Sequence, residues 1–206
     1  MEFSKKNISI CLIIIGSISL SLKLSLVDFT LPVINNDQVF SLRAFSYIFN
    51  DFEVSPKQNP GWPLFLSFFY RLIESNDFLT FSNITRIVSM LATTLAIIPM
   101  YMLGRKFFNE KYSLVAAALL AFEPHINFRA GFGYTEAIYI PLVILTAYFI
   151  LNKNNKLVII SFIFAGLMWW ARLEGIIMLF VISIVYFAIN KKSKKLIVKY
   201  VVCIFI

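Results

Sequence analysis

Charge is scarce in this chain, and so are thiol and imidazole. Only 15% of its 206 residues are Asp, Glu, Lys or Arg, and it holds two cysteines, one histidine, seven glycines and seven prolines. With 59% apolar residues, this composition excludes an ordinary soluble domain, in which roughly 25% of residues are charged and 45–50% apolar. Cys11 and Cys203 both lie inside apolar runs, where a thiol behaves as a small hydrophobe, so neither a disulfide nor thiol chemistry is expected. A lone histidine, His125, without a second nitrogen or sulfur ligand nearby argues against a zinc-type site. No internal repeat of the kind that marks inverted-repeat transporters is visible, and no low-complexity linker.

What the sequence has is apolar runs and a mean hydropathy of +0.79. Charge-free stretches extend over 7–22, 87–104, 112–122, 137–152, 157–171 and 175–190. Most of them approach the roughly 17–25 residues that cross a bilayer, provided flanking polar residues snorkel. A last run, 196–206, contains Lys199 and crosses only if its helix begins near Ser193. The expectation is an all-α membrane protein with about six to seven transmembrane helices. The first run, after Lys5 and Lys6, has no small-residue cleavage site behind it and is expected to be a retained anchor.

The net charge of +8 marks membrane orientation and does not point to nucleic acid. Lys5 and Lys6, then Arg105, Lys106 and Lys111, then Lys153 and Lys156, then Lys191, Lys192, Lys194 and Lys195 fall in every second connection. By the positive-inside rule those connections and the N-terminus are cytoplasmic. The alternate connections, outside, then hold Asp28, Asp37, Glu123, His125, Arg129, Glu136, Arg172 and Glu174.

The chain is expected to divide into a first span (1–27), an outer loop (28–81) and the remaining spans (82–206). Within the loop, 38–50 is apolar around most of a helical circumference, too short to span and too apolar to be solvated, so it is expected to lie in the interface. Pro56, Pro60 and Pro63 interrupt the chain, and 62–73 is a second interfacial or re-entrant helix.

Among the candidate residues, Asp37 precedes the first loop helix and can cap it, or, partly desolvated beside aromatic residues, serve as a base. Glu123, His125 and Arg129 break the third apolar run, where ionisable groups mark a site or a buried pair. Glu136 opens the fourth run, either as an acid favoured by the helix dipole or as part of that site. Arg172 lies in a tight turn beside Trp169 and Trp170, able to grip a phosphate bidentately or to anchor as a snorkelling cation.

In their order, these pieces resemble the N-terminal module of the GT-C superfamily of integral-membrane glycosyltransferases, nearest to the branch of protein O-mannosyltransferases and aminoarabinose transferases. The matching features are Asp37 after the first span, the stretch Asn59, Pro60, Gly61, Trp62, Pro63, Leu64, the acid in Thr135, Glu136, Ala137, and the basic turn Arg172, Leu173, Glu174, Gly175. The resemblance implies transfer of a sugar from a polyprenyl (dolichyl) phosphate donor to a protein, lipid or glycan acceptor outside the cell membrane. It implies Asp37 as catalytic base, Glu136 as a second catalytic residue that orients a sugar hydroxyl or an arginine, and Arg172 and Arg129 as the phosphate ligands. Glu174, Trp62 and His125 complete the expected substrate-binding set. No cofactor is expected. Gln38 stands where many members carry a second carboxylate. Members continue for several more spans, so the chain is expected to be truncated at its C-terminus.

Residues 91–136 are also similar to the oligosaccharyltransferase catalytic subunit, through Ile97 to Arg105, then Arg129, Gly131 and Glu136. That alternative would bring a divalent metal, but Tyr134 stands where its first acid would align. A non-enzymatic transporter or partner subunit is the remaining alternative.

Overall fold

The computed structural model describes residues 5–33, 44, 59–73, 75, 77–152, 154–189 and 195–204. Among them are ten helices and no strand, in keeping with the all-α expectation. Asp37 and nearly all of the expected helix 38–50 lie outside the described residues.

The first helix, α1 (Lys5–Ser25), carries exposed Ile13, Ile14 and Ile18 on one side. Its other side packs Leu12 and Ile15 against Ile97, Ala117 and Ala121, and toward its end is polar and buried. Ser19 Oγ donates to the Ala121 carbonyl at 2.8 Å, and Lys23 Nζ donates to Ser19 Oγ at 2.7 Å and to Thr94 Oγ1 at 3.1 Å. Lys23 is 1% exposed, and no carboxylate pairs with it among the described residues. It sits in the last turn of α1, where exposed helix carbonyls favour a cation.

Helix α2 (Gly61–Tyr70) starts at the expected Pro-Gly-Trp-Pro stretch. Its side chains at four-residue spacing, Trp62, Leu66 and Tyr70, are fully buried, while Phe65 and Phe68 are exposed. That spacing puts them on one helical face, and this face packs with Ala44, Phe81, Val88 and Ala137 into one apolar cluster.

Helix α3 (Phe78–Leu95) begins well before the apolar run that starts at residue 87. Asp77 caps it, accepting from the N–H groups of Leu79 and Thr80. The extra turns are polar in sequence because they face inward: Ser82, Thr85 and Arg86 are all buried, as are Ser89 and Thr93 further along. After Ala96, α4 (Ile97–Gly104) continues. The helix is interrupted just after Leu95, four residues before Pro99, which lacks the N–H that would bond Leu95 and crowds that carbonyl.

The remaining helices are α5 (Glu110–Ala121), α6 (Pro124–Phe132), α7 (Glu136–Ile150), α8 (Asn155–Ala171), α9 (Gly175–Ile189) and α10 (Leu196–Ile204). Asn109 caps α5 and Asn154 caps α8. Ile150, Val158, Phe162, Ala165, Leu179, Ile182 and Tyr186 form the core between α7, α8 and α9. Helix α10 packs on α8, and Lys199 is buried there with its ammonium 3.7 Å from the Tyr186 ring centroid. A ring face supplies the electron density that makes an inward lysine tolerable.

By length and composition, two segments of the described chain can cross a membrane: Lys6–Ser25 and Phe78–Gly104. Glu136–Ile150, Lys156–Ala171 and Gly175–Ile189 are apolar but shorter. The connections segregate to opposite ends of the bundle. At one end Lys106 Nζ donates to Asn152 Oδ1 at 3.2 Å and Arg105 pairs with Glu110. At the other, the α6–α7 turn and the end of α8 are tied to the start of α2, and the segment after α1 is tied to α3.

Candidate functional site

The α6–α7 turn is built to bring a base and an acid into contact. Glu123 caps α6, its carboxylate accepting from the Ile126 N–H with Pro124 in the first helical position, so the acid that interrupts the third apolar run is a helix cap. Ten residues after Glu123, Gly133 stops α6 in the left-handed region, at φ 74°. A Cβ there would come within 2.4 Å of Thr85 Cγ2, so both the backbone angle and the space require glycine. The chain reverses and α7 starts at Glu136. Arg129 thus lies in the last turn of one helix and Glu136 in the first turn of the next, each at the end where its charge is favoured.

Glu136 Oε1 accepts a hydrogen bond from Arg129 Nη1 and a second, at 2.7 Å, from Arg172 Nη1. Arg172 ends α8 in extended backbone, and its Nε and Nη2 donate to the two carboxylate oxygens of Glu174 at 3.3 and 3.0 Å. The hydrogen bond from Arg172 to Glu174 holds the guanidinium's pKa above its ordinary value, with partial burial opposing and Glu136 adding to it. The same bond lowers the Glu174 carboxyl. Arg129 lies 5.4 Å from the Tyr134 ring centroid and Arg172 5.8 Å from that of Tyr139.

The first turn of α2 underlies both arginine-bearing turns. Trp62 Nε1 donates to the Gly133 carbonyl at 2.7 Å, and Asn59 Nδ2 donates to the Trp169 carbonyl at 2.6 Å. Gly61 lies so close to the α8 backbone that a Cβ would meet Ala171 at 2.9 Å. Trp62 is fully buried. It supports the turn from beneath.

On the side of α3, Arg86 Nη1 and Nη2 donate to the carbonyls of Asp28 and Leu31, each at 2.8 Å, and Asn83 Nδ2 to that of Phe29 at 2.9 Å. Val33 is buried, its N–H 3.4 Å from Ser82 Oγ. Asp28 accepts from the Thr30 hydroxyl and N–H, which together lower its pKa. The segment leading toward Asp37 is therefore fixed to α3 as far as Val33. Arg86, which also donates to Asn83 Oδ1, escaped the sequence reading because its partners in the segment after α1 are main-chain carbonyls, which carry no residue signature.

Of the sequence-derived site residues, the structure brings Glu136, Arg129, Arg172 and Glu174 into one hydrogen-bonded cluster. His125 shares with Arg129 and Glu136 the lining of a cavity of about 70 Å³, together with Thr93. A second cavity of about 190 Å³, on the other side of α6, is lined by Asp28, Leu31, Arg86, Phe128 and Gly131. Asp37 is not among the described residues. Among those that are, no three His, Cys, Asp or Glu side chains converge as metal ligands would.

A family model described as dolichyl-phosphate-mannose-protein mannosyltransferase matches residues 56–206 of the chain. The match takes in Trp62, His125, Arg129, Glu136, Arg172 and Glu174 and begins after Asp37. No curated protein has a matching sequence.

Proposed function

Because the chain belongs to the dolichyl-phosphate-mannose-protein mannosyltransferase family of integral-membrane glycosyltransferases, we propose that it transfers a sugar from a polyprenyl phosphate to an acceptor on the extracytoplasmic side. The observation that carries this reading is Glu136 holding two guanidinium groups from separate turns side by side. Two arginines so placed present countercharge to one anion, and guanidinium matches phosphate geometry.

In the reaction, the acceptor oxygen or nitrogen attacks the anomeric carbon and gives its proton to Asp37. The bond between that carbon and the phosphate oxygen breaks, and its electron pair leaves with the polyprenyl phosphate. Arg172 and Arg129 stabilise the charge that accumulates on the departing phosphate, an effect worth roughly 10²–10³ per well-placed donor. A positioned base adds roughly 10²–10⁴. Glu136 keeps the arginines adjacent, and Trp62 and Asn59 hold the turns that carry them. The guanidinium groups supply the countercharge that a metal supplies in other glycosyl transfers, so a chelator is expected to leave the rate unchanged.

The placement of Asp37 in this scheme is supported by its tether. It follows Val33 by four residues, at most about 14 Å of extended chain, and precedes Ala44, which is buried against the Trp62 cluster, by seven. The lysine-rich connections put the N-terminus in the cytoplasm and the arginine turns outside, with six to seven crossings.

The test is transfer from radiolabelled polyprenyl-phosphate mannose by the purified chain in acceptor-containing membranes. Asp37→Asn is expected to abolish transfer with donor binding nearly intact, and Arg172→Ala to weaken binding. Equal rates for wild type and Asp37→Asn would refute the role of that carboxylate.

A further inference from the structure

We infer that Glu174 competes with the donor: its carboxylate occupies the edge of the Arg172 guanidinium that a lipid phosphate needs, and must be displaced for the headgroup to bind. The inference rests on the reading above that Arg172 receives the phosphate. A guanidinium grips an oxyanion most strongly through two parallel N–H groups. In Arg172 the Nε and Nη2 edge is taken by both oxygens of Glu174, at 3.3 and 3.0 Å, and Nη1 by Glu136 at 2.7 Å. The lateral Nε–Nη2 edge is therefore filled, and on the Nη1–Nη2 edge Nη1 already donates to Glu136, so an arriving phosphate finds the lateral edge free only if Glu174 leaves.

Charge leads to the same conclusion. Arg129, Arg172, Glu136 and Glu174 together are neutral, so an arriving phosphate gains a net positive site only if one carboxylate withdraws. Which one does is decided by burial and bonding. Glu136 is 21% exposed, bonded by arginines from two turns and seated in the first turn of α7. Glu174 is 57% exposed and lies in the α8–α9 turn, where it can swing into water and recover full hydration. The exposed member is the one that leaves.

Displacing it is inexpensive. Ion pairs of this exposure are worth a factor of roughly two to five in an equilibrium. That is enough to disfavour a small free anion, which has only the headgroup contact to offer, and little against a donor that also contributes its lipid chain. Glu174 thereby acts as a specificity residue, keeping Arg172 ordered and occupied until a ligand with further contacts arrives.

The experiment measures binding of radiolabelled polyprenyl-phosphate mannose to the full chain in nanodiscs, with inorganic phosphate as competitor. The chains compared are wild type, Glu174→Gln, Glu174→Ser, Glu174→Asp and Arg172→Ala. Glu174→Gln and Glu174→Ser are expected to bind the donor roughly two- to fivefold more tightly and to be inhibited at lower phosphate concentrations, with Glu174→Asp near wild type. Unchanged or weaker donor binding in both neutral variants would overturn the inference, since Glu174 would then be holding Arg172 in its working position. Arg172→Ala separates the two readings. Wild-type donor binding in that variant sinks the phosphate site itself, whereas lost binding beside an unresponsive Glu174→Gln sinks the competition alone.

Discussion

Glu136 and Arg172, 36 residues apart in the chain, meet at 2.7 Å across two different interhelical turns. Arg129 reaches the same carboxylate oxygen, so one acid sets the separation of two cations that would otherwise repel. Removing that charge should matter more for where the arginines sit than for whether the bundle folds.

Glu136→Gln is therefore expected to lower kcat/KM for the donor by roughly 10²-fold, the size of effect that misplacing a positioned group by about 1 Å produces. The loss should appear in both donor affinity and turnover, and Glu136→Asp should recover part of it. Steady-state kinetics on the three chains checks this; a Glu136→Gln enzyme with wild-type constants would remove Glu136 from the site.

Trp62→Phe keeps a ring in the apolar cluster but removes the indole N–H that meets the Gly133 carbonyl. Leaving a buried acceptor unpaired costs about 1–3 kcal/mol. Thermal unfolding in detergent should show a lowered Tm. Because the lost bond anchors the turn that carries Arg129 and Glu136, donor binding should weaken as well. A variant with unchanged Tm would show that the turn is held by other contacts.

Glu174 has a carboxyl pKa lowered by its hydrogen bond from Arg172. A carboxyl depressed in the folded state contributes its interaction fully above the ordinary glutamate value and loses it as pH falls through the depressed one. Arg172, itself raised, stays protonated throughout. The pair should thus persist unchanged from neutral pH down to the ordinary glutamate value and open only below it. Carbon-13 titration of the glutamate carboxyls should show a Glu174 midpoint below 4.5 in wild type, returning to about 4.5 in Arg172→Ala. A midpoint that does not move on removing Arg172 would mean the two side chains are not paired in solution.

Much of the cluster is legible in the sequence, because charge in a chain this apolar is conspicuous. Arg129, Glu136 and Arg172 stand in short polar gaps between long apolar runs, and alternation of lysine-rich gaps groups them at one face. The start of α2 was legible too, since two prolines around Gly61 and Trp62 leave few alternatives. What the sequence concealed were polar groups that face inward. The polar residues Ser82, Thr85 and Arg86 lie ahead of the apolar run that starts at 87, yet they are on the inner face of α3, and Arg86 satisfies carbonyls that no residue type announces. Glu123 looked like an ionisable group in search of a function, but with proline behind it it is a helix start. Lys23 and Lys199, each inside an apolar helix, found hydroxyls and a ring face that spacing along one helix does not reveal.

The bonds from Asn59 and Trp62 tie both arginine turns to the same short helix before any ligand is present. A docking headgroup therefore finds its receptor already ordered, with little rotational freedom left to lose. In the proposed transfer, occupancy depends also on how densely the lipid carrier populates the two-dimensional film around the protein, so the composition of the bilayer enters the working rate beside the side chains.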